Sequence, residues 1–92
     1  MIKYRIFQDD VEIGLLEINE KGQHRYTPVE EQMESIKKAC RLFPELYTKS
    51  DWREPIPVLQ NRINDASRFG QEKDITNQTD SFRLLMTEEE KR

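Results

Sequence analysis

The sequence predicts an α+β domain: a small antiparallel sheet of three or four strands with two helices packed on one face. Three observations predict it. Apolar and polar side chains alternate through most of the first 27 positions, whereas beyond Thr27 apolar residues recur at steps of three and four. No Ser/Gly/Pro-rich linker divides the 92 residues, so a single domain is expected over 1–87, followed by a polar tail over 88–92.

Ile2, Tyr4 and Ile6 alternate with Lys3 and Arg5, the period of a strand with one buried face. Gln8-Asp9-Asp10 supplies turn residues, and Val11-Glu12-Ile13 resumes the alternation. The phase then slips at Leu15-Leu16, which predicts a bulge near Gly14 or burial on both faces. Asn19-Glu20-Lys21-Gly22 has the composition of a type I turn closed by a glycine at positive φ, so residues 23–26 return as a third strand.

Thr27-Pro28-Val29-Glu30 reads as a helix start: threonine caps, proline occupies the first helical position, and Glu30 closes the capping box. Val29, Met33, Ile36, Cys40 and Phe43 form its apolar stripe, and Pro44 limits it to about fifteen residues. Residues 45–57 show no regular period and read as an ordered loop over the core. A second helix over 57–69 places Leu59, Ile63 and Ala66 on one face, with Gly70 as its stop. Residues 71–80 are polar except for Ile75 and read as loop. Phe82, Leu84 and Met86 predict a last strand, although Phe82, Leu85 and Met86 also fit a helix starting after Asp80.

Composition excludes several function classes. With 35% hydrophobic residues spread along the chain there is material for one modest core, and full disorder is not expected despite 36% charged residues. The longest apolar stretch, Ile13-Gly14-Leu15-Leu16, falls far short of the roughly 20 residues a membrane helix needs. The first residues never develop the apolar run of a secretory signal, so a cytoplasmic setting is expected, and the single cysteine, Cys40, forms no internal disulfide. Net charge is −3, unevenly spread: residues 37–73 carry eight Lys/Arg against five Asp/Glu, whereas residues 1–36 carry four against eight. This basic middle is weak beside the stripe that phosphate binding requires.

Chemistry-bearing residues are sparse. Cys40 belongs to the stripe of the first helix, where a thiol behaves as a small hydrophobe, and the only histidine, His24, reads as an outward polar residue of the third strand, so the pair makes a poor nucleophile and base. One Cys and one His fall short of a zinc set. Glu30, Glu31 and Glu34 are explained by the dipole at a helix start, and Gly14, Gly22 and Gly70 lie too far apart to form a phosphate loop. No cofactor, metal or catalytic set is therefore expected.

The residues that suit a partner surface are Trp52, Arg53, Arg62 and Arg68. Tryptophan and arginine are enriched at binding hot spots, although a lone tryptophan in a small domain more often covers its own core. Arg62 and Arg68 stand beside Asn61, Asn64 and Asp65 on the second helix, where exposed charges also pair with one another.

Val11-Glu12-Ile13-Gly14-Leu15-Leu16, with Gly22 and Tyr26 after it, resembles the opening hairpin of the small N-terminal subdomain of HipA-type toxin proteins. The segment Pro57-Val58-Leu59-Gln60-Asn61-Arg62-Ile63 is similar to the stretch that closes that subdomain, with Asn61-Arg62-Ile63 standing where the family shows Leu-Leu-Pro. The resemblance spans about forty residues and includes none of the kinase motifs of that family. It implies a stand-alone, antitoxin-like protein acting as the non-catalytic partner of a toxin kinase. The expected function is thus a regulatory protein-interaction module. The competing expectation is a nucleic-acid-binding accessory protein using Arg41, Arg53, Arg62 and Arg68.

Overall fold

The computed structural model describes residues 1–39, 46, 48–77 and 81–89. Five strands, β1 (Ile2–Gln8), β2 (Val11–Ile18), β3 (His24–Pro28), β4 (Asp74–Asn77) and β5 (Phe82–Glu89), form one sheet in the order β3-β2-β1-β5-β4, every neighbour antiparallel. A single 3-10 turn, Glu30–Gln32, leads into α1 (Met33–Ala39), and α2 (Pro57–Arg68) follows later in the chain. The α+β class predicted from the sequence is correct. The sheet has five strands where three or four were expected.

The pairing register decides which side chains enter the core. Tyr4 faces Leu16 and Met86 across the sheet, Ile6 faces Gly14 and Leu84, and Leu84 faces Ile75, so these residues share one face. Ile36 and Ala39 from α1 and Leu59 from α2 complete the buried cluster on that face, with Ile56 and Leu46. The opposite face carries Arg5, Phe7, Leu15, Glu17, Arg25, Arg83 and Leu85, none of which belongs to the core cluster.

The phase slip in the second strand is a bulge. The partners of β1 jump from Gly14 opposite Ile6 to Glu12 opposite Phe7, leaving Ile13 unpaired yet fully buried. Its freed carbonyl accepts the Val29 amide at 2.8 Å and the Tyr26 hydroxyl at 3.4 Å. Gly14 makes room for that tyrosine: a Cβ there would lie 2.5 Å from the ring. At the predicted turn, Gly22 has φ 79° and its amide donates to the Asn19 carbonyl at 3.0 Å.

The first helix starts later than Thr27 and Pro28 suggest. Both residues stay in β3, opposite Leu15 and Gly14, because the ladder offers their backbone a partner and β-branched threonine suits it. The stripe residues Cys40 and Phe43 lie outside the described residues. The second helix matches its expected span to within one residue, with proline in its first turn and Gly70 at φ 68° just beyond it.

One further expectation needs correction. Residues 74–77, read as loop, form β4: Ile75 is their one apolar residue, too little for a visible alternation, and pairing with β5 supplies the order. The last apolar run is a strand, the reading that Phe82, Leu84 and Met86 favour over a helix, and it runs from Phe82 to Glu89.

Candidate functional site

His24, expected to face outward, is completely buried. It lies two residues before Tyr26 and therefore shares its inward phase. The Ile56 amide donates to Nδ1 at 3.1 Å, and Nε2 lies 3.0 Å from the Gln60 side-chain oxygen. These partners assign the neutral tautomer with the proton on Nε2, donating to Gln60. Burial pushes the imidazole below its ordinary range, opposed by the Gln60 hydrogen bond and reinforced by nearby Arg53. Both ring nitrogens are thus engaged in holding the 48–56 segment and α2 against β3, which leaves the histidine no base to offer.

That segment covers the outer edge of β3. The Arg53 backbone exchanges two hydrogen bonds with His24, of 2.9 and 3.0 Å. Ser50 accepts the Tyr26 amide on its hydroxyl at 3.1 Å and donates its own amide to the Tyr26 carbonyl at 2.9 Å. The chain thereby carries Trp52 round to the sheet face opposite the helices.

There Trp52 is half-buried and stands outside the core cluster. The Arg25 guanidinium lies 4.4 Å from its ring centre. Arg25 is itself fixed by Glu17 through two hydrogen bonds of 3.0 Å, which raise its already high pKa further. Arg25 and Glu17 also line, with Lys49, Ser50 and Asp51, a cleft of about 470 Å³. Arg53 is exposed, its side chain donating to the Glu54 carbonyl at 3.0 Å.

Arg62 and Arg68 lie elsewhere. The Arg62 guanidinium is 5.2 Å from the Phe82 ring centre, and Arg68 pairs with Asp65 at 3.5 Å on the exposed side of α2. Arg62 lines a groove of about 440 Å³ between α2 and β4, together with Ala66, Phe69 and Ile75. Since β3 and β4 are opposite edges of a five-stranded sheet, they stand roughly 19 Å apart at ordinary strand spacing. The four candidate residues therefore form two patches, and Arg41 lies outside the described residues.

One cluster escaped sequence reasoning. Phe7 is half-buried on the face opposite the helices, with the Arg5 guanidinium at 5.3 Å and the Arg83 guanidinium at 5.7 Å from its ring centre. Arg5 pairs with Glu12, and Arg83 with Asp74 through contacts of 2.9 and 2.8 Å that hold the Asp74 carboxyl below the usual range. The available signal was phase, because Phe7 falls on the outward side of a strand whose inward residues are Ile2, Tyr4 and Ile6.

Compared with protein-family models, with curated proteins and with solved structures, the chain matches none. No helix among the described residues is long and apolar enough to cross a membrane.

Proposed function

We propose that this chain is a non-catalytic regulatory module that binds another protein through the surface around Trp52. The observation that carries the reading is the placement of the only tryptophan: half-exposed, outside the core and already held by an arginine that a buried glutamate fixes. An aromatic side chain ordered before binding loses little entropy when it is covered, which is what an interface anchor needs. The hairpin and Pro57–Ile63 motifs that resemble the HipA-type subdomain favour a toxin kinase as the partner and a cytoplasmic setting. A nucleic-acid role draws less support, because Arg5, Arg25 and Arg83 on the uncovered sheet face each face a paired carboxylate, and little positive charge is left to displace counterions.

The test is co-purification of the full chain from its native host, identification of the bound species, and titration of that species with the wild type and Trp52→Ala. The expected result is a single protein partner whose affinity falls by about thirtyfold or more in the variant. Recovery of nucleic acid with a steep salt dependence, or a variant that binds as the wild type does, overturns the reading.

A further inference from the structure

The two edges of the sheet are treated differently. The outer groups of β3 are taken up by Ser50 and Arg53, whereas no backbone group among the described residues pairs with the outer side of β4. The Met86 amide donates to the Lys73 carbonyl at 2.8 Å, and bonded pairs recur every second residue of an antiparallel ladder, so Ile75 bonds toward Leu84. Asp74 and Thr76 consequently direct their N–H and C=O groups outward. Beside this edge runs the groove between α2 and β4, and at its rim stands Phe69, the one large hydrophobic residue that is well exposed among the described residues, at 76%.

We infer that β4 is a dimerisation edge, where a second copy of this chain adds its own β4 antiparallel about a two-fold axis through Ile75, making one sheet of ten strands. This goes beyond the proposed function and does not rest on it, since Trp52 lies at the other edge. The charge pattern of β4 permits self-pairing in this register. With the axis at Ile75, each Asp74 faces the partner copy's Thr76, giving four backbone hydrogen bonds and no like-charge contact. An axis at Asp74 would set two carboxylates against each other. Asp74 is also paired with Arg83 on the neighbouring strand β5 of its own chain, which offsets the charge that ordinarily keeps an edge from pairing. A four-residue edge alone buries too little to hold two chains together, and exposed Phe69 with half-buried Ala66 supplies the apolar area beside it. The self-complementary patch fits the commonest symmetry of soluble oligomers.

Sedimentation equilibrium of the full chain across concentration, with hydrogen exchange read amide by amide, tests this. The expected result is a reversible dimer in which the amides of Asp74 and Thr76 gain protection as concentration rises. Phe69→Glu is expected to give a monomer whose melt matches that of the wild type at dilutions where the wild type is monomeric. Thr76→Asp, which sets a carboxylate opposite each Asp74, is expected to weaken the dimer several-fold, and Thr76→Lys to tighten it several-fold. A wild type that stays monomeric at high concentration overturns the inference, as does a dimer indifferent to Phe69→Glu and to the sign of the charge at position 76.

Discussion

His24 shows how one buried side chain ties three segments together. Its Nδ1 accepts the Ile56 amide, its Nε2 proton goes to Gln60 on α2, and its backbone pairs with Arg53. Protonating the ring would put two donors face to face at Ile56. Because the folded imidazole titrates below its ordinary value of about 6.5, the unfolded chain binds the proton more readily. Stability is thus fully present above about pH 6.5 and declines as pH falls from there through the lower folded value. Urea melts stepped from pH 7.5 to 5 should show the midpoint falling, and His24→Gln should flatten that dependence while lowering stability throughout. Gly14 gives a second expectation at this scale. Gly14→Ala places a methyl group against the buried, hydrogen-bonded ring of Tyr26, and a loss of about 1–3 kcal/mol is expected in denaturant melts.

At the scale of elements, turn chemistry explains much of the register. Asp9 and Asp10 join β1 to β2 with φ of 51° and 65°, the signature of a two-residue type I′ turn. Asp9 is occupied by Lys38 and Gln8, whereas the second position suits glycine. Asp10→Gly is expected to raise stability by about 1 kcal/mol, read as a higher urea midpoint at an unchanged slope. A lower midpoint would mean that Asp10 makes a contact worth more than the relief of its backbone. The turn after β2 works through a side chain instead: Asn19 Oδ1 accepts the amides of Lys21 at 3.0 Å and Gln23 at 2.9 Å. Its identity as a turn was legible because asparagine and glycine sit at the two positions that need them. The start of α1 was not, since Thr27 and Pro28 satisfy the rules for a helix cap and for a strand end alike, and the backbone partners in β2 decide between them.

For the molecule as a whole, the arrangement separates stability from recognition. The core lies between the helices and one sheet face, and Trp52 lies on the other side, so Trp52→Ala is expected to cost only about 1 kcal/mol, the scale of its contact with Arg25. Thermal melts check this. A loss of 3 kcal/mol or more would show that the ring covers core. Iodide should quench the fluorescence of the free protein readily, and a partner seated on this surface should protect it.

The sequence by itself determined the α+β class, the opening three strands with their bulge and turn, and the span of α2. Each of these is written in local spacing: period two, a glycine at a forced φ, proline in the first turn and glycine after the last. Tertiary structure alone decided the rest. Asp74–Asn77 becomes a strand only because β5 lies beside it, His24 turns inward only because its phase follows Tyr26, and the partner-surface candidates part company because residues 53 and 62, nine positions apart in the chain, belong to patches at opposite sheet edges. Local preference cannot encode these outcomes, since a hydrogen-bonded partner or a buried neighbour from a distant segment contributes more free energy than the propensity of any single residue.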